Sequence, residues 1–220
     1  MTTNYDPIAE QYKRSKQQPW RTYVECFTLM KLIGDPHGLD VLDVGCGEGF
    51  YTRLIRERGA ARVTGIDQSH GMIELARTQE AQHRLGIEYI VGDARELPVT
   101  RQFDLVMAAY LLNYAQDPQE LQAMYDGLAR SLRPGGRFVT VNGNPTPTFP
   151  SAPSYRKYGF ETSVRGRWQE GVPITGPSTC MMDPSRSRTT ISARRLTRQP
   201  VASPDFGRFD GIPSSFPPGS

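Results

Sequence analysis

Hydrophobic and polar positions along this chain change rhythm at Leu39. From there, short apolar runs alternate with stretches of helical period: strand 39–44, helix about 50–58, strand 62–67, helix about 70–84, strand 87–91, strand 103–108, helix 117–132 and strand 137–142. That alternation predicts an α/β fold, a doubly wound and mostly parallel sheet with helices on both faces. Ahead of it, Asp6-Pro7 supplies an N-cap and a Pro at the first helical position, and a second apolar stretch spans Arg21–Ile33. Two helices are therefore expected before the sheet.

The best-specified helix is 117–132. Asp117 is its N-cap, Pro118 its first residue and Glu120 follows three positions on. Leu121, Met124, Tyr125, Leu128 and Leu132 fall at helical spacing, and Pro134-Gly135-Gly136 is expected to stop it. Its apolar stripe reads as core. After Asn142 the periodicity fades. Residues 176–220 hold seven Pro, eight Ser and six Arg with neither Lys nor Glu, too little apolar surface to offset ordering entropy.

Charge and cysteine content narrow the function classes. The formal charge is +3, but removing the six Arg and three Asp of 176–220 leaves 20 basic and 20 acidic residues in 1–175. The body is neutral and offers no basic stripe, so nucleic acid is not an expected partner. Cys26, Cys46 and Cys180 are too few and too widely spaced for a disulfide framework or a zinc site. The polar start of the chain and the lack of a long apolar run point to a cytoplasmic protein without a membrane association.

The chemistry concentrates in VLDVGCGEGF at 41–50, where a buried apolar strand runs into Gly45-Cys46-Gly47-Glu48-Gly49 and then a helix. Such glycines permit a tight turn and let backbone amides approach a ligand. A dinucleotide fingerprint would also need glycine at 50, where this chain has Phe50. Asp43, at the strand end, would repel a pyrophosphate but can attract an ammonium group or orient a network around one. A nicotinamide-dependent oxidoreductase is disfavoured on both counts. Two further acids stand at strand ends, Asp67 in VTGIDQSHGMIELA and Asp93 in IEYIVGDARELP, so Asp43, Asp67 and Asp93 follow one another at 24- and 26-residue spacing. Ligands in open α/β sheets sit at the carboxyl ends of strands.

With these motifs, residues 4–145 resemble the class I S-adenosylmethionine-dependent methyltransferases, which have a Rossmann-like fold. The resemblance implies that Asp43, Gly45, Cys46, Gly47 and Gly49 hold the methionine part of the cofactor. It implies that Asp67 takes the ribose hydroxyls with Gln68 beside it, that Met72 packs on the adenine, and that Gly92, Asp93 and Ala94 meet the adenine edge. FDLVMAAYLLNYAQDP at 103–118 would border the methyl donor through Ala109. It lacks the Asn/Asp-Pro-Pro-aromatic signature of many enzymes that methylate bases or protein glutamine, which favours a small-molecule acceptor. Tyr5-Asp6-Pro7 through Tyr12 resembles the leading lid helix of small-molecule members. By that likeness Tyr5 is the candidate catalytic residue, and Tyr12 and Arg21 can reach the cofactor carboxylate. Tyr5, Tyr110 and Asn113 are the substrate candidates, with His70 and Tyr114 as further polar neighbours. The leading helix and AAYLLNYA are similar to N-methyltransferases of antibiotic and toxin pathways, the toxoflavin synthase type among them.

The function expected is transfer of methyl from S-adenosylmethionine to N or O of a small metabolite, leaving S-adenosylhomocysteine. No metal constellation accompanies it. The alternative is a catalytically silent cofactor-binding remnant, because members of the family continue with a helix and an antiparallel strand pair, and that pair is expected to be missing or altered here. Three segments are expected: a helical cap at 1–38, the cofactor-binding domain at 39–160 and an atypical, disordered tail at 161–220. A loss of reading frame near 161–180 would produce such a tail.

Overall fold

The structure is a computed structural model that describes residues 21–98 and 102–142, and the backbone of two short strands at 163–164 and 174–175. A single π-helical turn, Arg21–Glu25, leads into α1 (Cys26–Ile33). There follow β1 (Asp40–Val44), α2 (Phe50–Glu57), β2 (Arg62–Asp67), α3 (His70–His83), β3 (Glu88–Val91), β4 (Phe103–Ala109), a 3-10 turn Leu112–Tyr114, α4 (Pro118–Ser131) and β5 (Leu132–Val141). The sheet order is β3-β2-β1-β4-β5, and every pairing in it is parallel. The chain runs outward from β1 to β3 and then returns to place β4 on the other side of β1. The order therefore reverses between β1 and β4, and their carboxyl ends border a crevice.

Strand alternation builds two cores, one on each face. Val41, Val63, Leu105 and Met107 pack with Leu29, Ile33, Ile55 and Ile73 from α1, α2 and α3. Leu42, Val44, Ile66 and Val106 point the other way and pack with Leu121, Met124 and Leu128 of α4. The doubly wound, parallel α/β architecture expected from the pattern is the one observed. α4 starts as its sequence specifies, with the Asp117 carboxylate accepting the Glu120 amide at 2.8 Å and Pro118 in the first position.

One expectation is corrected. The helix ends at Ser131, one residue short of the expected 132, but the last strand begins at Leu132 rather than 137, and Leu132 is already extended and paired with Phe103. The Pro-Gly-Gly run instead lies inside β5, at a register shift opposite Phe103–Leu105. A Cβ on Gly136 would stand 3.0 Å from the Arg133 carbonyl and 3.1 Å from that of Phe103, so the close backbone approach at this irregularity requires glycine. Within the stretch assigned to the tail, Ser163–Val164 (β6) and Ile174–Thr175 (β7) pair antiparallel as a separate two-stranded sheet. The first expected helix, the tail 176–220 and the proposed frame change there lie outside the described residues. Among the described residues no helix is long and apolar enough to cross a membrane.

Candidate functional site

At the carboxyl ends of β1, β2, β3 and β4 lies an open cleft of about 840 Å³, its mouth included, whose lining includes Gly45, Gly47, Asp67, Met72, Asp93 and Tyr110. Val44, Gln68, Gly92, Ala94 and Ala109 complete the strand-end side of its wall. A second, smaller pocket holds Asp43, Cys46, Glu48, Phe50 and Tyr51, and it shares Gly45 and Ala109 with the cleft. The glycine turn thus has ligand-accessible space on both sides.

The local geometry follows from the turn. Gly45, Gly47 and Gly49 have φ of 74°, 57° and 84°, the left-handed region that favours glycine. Gly45 and Cys46 donate their amides to the Ile66 carbonyl at 2.7 and 3.0 Å, which ties the turn to β2. The Gly47 amide donates to Asp67 Oδ2 at 2.8 Å, and the Ser69 amide donates to Oδ1 at 2.9 Å. These two amides fix the plane of a carboxylate that lines the cleft. Asp43 is 2% exposed and accepts the Thr52 hydroxyl at 2.6 Å, an anchor supplied by α2. Burial, followed by the charges of Asp43 and Asp67, pushes the Cys46 thiol well above its ordinary value, so it is a thiol rather than a nucleophile at neutral pH.

Asp93 sits at the rim. Its Oδ1 accepts the amide and Nε of Arg95, each at 2.9 Å, and Arg95 Nη2 reaches its Oδ2. The Arg95 guanidinium holds the Asp93 carboxyl below the usual carboxylate range. Met72, whose amide donates to the Ser69 hydroxyl at 3.2 Å, is buried against the cleft floor. Tyr110 adopts φ 59° while its amide donates to the Val141 carbonyl at 2.7 Å, a left-handed tyrosine at the wall of the cleft.

Not every expected residue comes to the cleft. Gly49 lines neither space: it opens α2, and a Cβ there would fall 2.3 Å from the Tyr89 hydroxyl, so its glycine is required by packing against β3. Arg21 pairs with Glu25 at 3.2 Å across the π-helical turn, and Glu25 accepts the Tyr51 hydroxyl, so Arg21 approaches the smaller pocket only through two other side chains. Asn113 donates its Nδ2 to the Tyr110 carbonyl at 3.4 Å and is not part of the lining, whereas Tyr114 is. His70 is the exposed first residue of α3. Tyr5 and Tyr12 lie outside the described residues. The sequence reading did not single out Arg95, Leu111 and Met124 as cleft residues, gave Glu120 only a capping role, and missed Tyr51 in the smaller pocket. Arg95, two positions after Asp93, carried a short-range signal. Glu120 reaches the rim across 25 residues of chain and carried none.

The family model described as a methyltransferase domain matches residues 41–136. Residues 41–136 are thus similar to a methyltransferase domain. Over 110 residues the chain is 37% identical to a ubiquinone biosynthesis O-methyltransferase of Coxiella burnetii, covering 49% of this chain and 45% of that protein. Over 107 residues it is 36% identical to a malonyl-[acyl-carrier protein] O-methyltransferase of Serratia marcescens, covering 47% of this chain and 38% of that one. The crystal structure of an S-adenosylmethionine-dependent methyltransferase from Mesorhizobium loti superposes with a TM-score of 0.50 at 29% identity, covering 60% of this chain and 56% of that one. The chain spans less than half the length of the two curated relatives. The matched region contains the glycine turn and all three strand-end aspartates.

Proposed function

We propose that this chain binds S-adenosylmethionine across the cleft and the smaller pocket and transfers its methyl group to an oxygen or nitrogen of a small molecule. The observation that carries the reading is the row of Asp43, Asp67 and Asp93 at the carboxyl ends of three adjacent strands, around a glycine turn, beside the reversal of strand order. The residues present suit this cofactor. Asp67 has the acceptor atoms for a ribose diol, Met72 and Ala94 supply apolar contact for a heterocycle, and Asp43 supplies a buried carboxylate for an ammonium group. A pyrophosphate beside the glycine turn would meet the carboxylates of Asp43 and Asp67.

When bound, the cofactor supplies an activated methyl on a sulfonium, so the acceptor–methyl bond forms as the sulfur–methyl bond breaks and the sulfur leaves as a neutral thioether. The protein's work is then mostly positioning. The Ile66 carbonyl and the Asp67 carboxylate hold the glycine turn rigid, and the turn separates the nucleoside end from the methionine end. Tyr110, Leu111 and Tyr114 wall the side where an acceptor can enter, with Asn113 bracing the Tyr110 carbonyl. The proton of a hydroxyl acceptor passes to solvent or to a polar group there. Tyr5, Tyr12 and Arg21 remain candidates for closing the site from the amino-terminal side. Both curated relatives are named O-methyltransferases, which favours oxygen as the accepting atom.

Isothermal titration with S-adenosylhomocysteine tests the reading, with Asp67→Ala as control. Binding that is lost in the variant supports it, and methyl transfer from labelled cofactor to phenolic or carboxylate acceptors then identifies the acceptor class. No binding by a chain with native circular dichroism would overturn it.

A further inference from the structure

The ion pair at the rim of the cleft has one arginine for two carboxylates. Arg95 chelates Asp93 and, through Nη1, also meets Glu120 Oε1 at 2.7 Å. All three residues line the cleft. The two carboxylates are not equivalent. The Glu120 side chain is 12% exposed and its Oε2 accepts the Gln116 amide at 2.6 Å, at the start of α4. The Asp93 side chain is 34% exposed and sits on the turn after β3. Glu120 is the fixed partner and Asp93 the accessible one.

We propose that Arg95 is a specificity-determining residue of the nucleoside end of the cleft, covering Asp93 when paired with it and uncovering it when held by Glu120. The inference rests on the nucleoside-binding reading above. Asp93 can recognise a heterocycle only as an acceptor, and an exocyclic amino group is the donor that matches it. With Arg95 on it, that edge already receives three donor groups. The exposed Asp93–Arg95 pair costs little to open, because ion pairs in contact with water contribute at most about 1 kcal/mol. Glu120 then keeps the displaced guanidinium in place at the rim, so the cation is neither lost to solvent nor turned onto the base edge. If Arg95 faced that edge instead, the site would favour an oxo group, which accepts. Glu120 therefore acts as a positioning residue that selects amino over oxo through Arg95.

The test is a set of dissociation constants on the full chain for S-adenosylhomocysteine and its 6-oxo analogue S-inosylhomocysteine. The proteins are the parent, Glu120→Gln, Arg95→Ala and the double variant, with circular dichroism on each. Glu120→Gln keeps an acceptor for the Gln116 amide. It is expected to weaken the amino ligand by roughly threefold to fivefold while leaving the oxo ligand unweakened. Arg95→Ala is expected to tighten the amino ligand, and the double variant to match Arg95→Ala. An equal loss for both ligands in Glu120→Gln, the same loss on the Arg95→Ala background, or weaker amino binding in Arg95→Ala would each overturn the inference while leaving the cofactor reading intact. Failure of the parent to bind either ligand, with a native spectrum, would overturn both.

Discussion

Aspartates stand at both ends of this sheet, and the two ends treat them differently. At the amino ends, Asp40 and Asp104 meet Arg133 at 2.6 and 2.7 Å, Arg62 reaches Asp40 at 3.3 Å, and Asp104 also accepts the Asp40 amide at 2.8 Å. This network ties β1, β2, β4 and β5 together through pairs in contact with water. At the carboxyl ends, Asp43 accepts a hydroxyl from α2 and Asp67 accepts two backbone amides from the loops that follow β1 and β2. Amides and hydroxyls orient a carboxylate without cancelling its charge as a guanidinium does. The same residue type is thus a strap at one end and a pocket-lining acceptor at the other, and Asp93, chelated by Arg95 at the rim, stands between the two.

That contrast can be broken or sharpened by experiment. The largest effect is expected at the turn itself. Gly49→Ala forces a left-handed alanine, at about 1–2 kcal/mol, and drives its methyl into Tyr89, for a combined loss of about 2–4 kcal/mol in urea unfolding. A loss below about 1 kcal/mol would show that Tyr89 moves aside. Next, Asp67→Ala should cost tenfold or more in S-adenosylhomocysteine affinity by titration, since a charged hydrogen-bonding partner is worth about 1.5–3 kcal/mol. Unchanged affinity would place Asp67 with the straps.

Arg133→Ala at the opposite end should lower stability by no more than about 1 kcal/mol and leave that affinity unaltered. A drop in binding would mean that the two ends are coupled.

The smallest effect is in titration. Asp93 and Asp104 are both held below the usual carboxylate range, Asp93 first by the Arg95 side chain and Asp104 first by the Asp40 amide. Each therefore adds stability that is present above the ordinary carboxylate value and lost as pH falls through the lowered one. By carboxyl NMR, Arg95→Ala should raise the Asp93 midpoint clearly, and Arg133→Ala should raise that of Asp104 less.

Much of this was legible in the chain. The doubly wound sheet could be read because apolar runs of strand length alternate with helical periods, and Asp117-Pro118 with Glu120 marks a helix start by local capping chemistry. The strand-end acids and the glycine turn could be read because a tight turn needs glycine and a strand end needs few residues to declare itself. Pro134-Gly135-Gly136 misled because such a run reads as a loop before the strand, whereas β5 already begins at Leu132 by pairing with Phe103, a contact 29 residues distant. Gly49 was assigned to the ligand together with its motif neighbours, which line the cleft and the smaller pocket, while its own constraint comes from Tyr89 on another strand.

The sequence by itself determined the elements, their order and the acids placed at the ends of strands, since these depend on local periodicity, capping and turn conformation. The tertiary structure decided which of those acids share a cleft, which receive amides and which receive guanidinium groups. It also brought Glu120 from the start of α4 to Arg95 after β3. Such pairings depend on the strand order β3-β2-β1-β4-β5 and on distances across the sheet, and no local pattern in the chain encodes them.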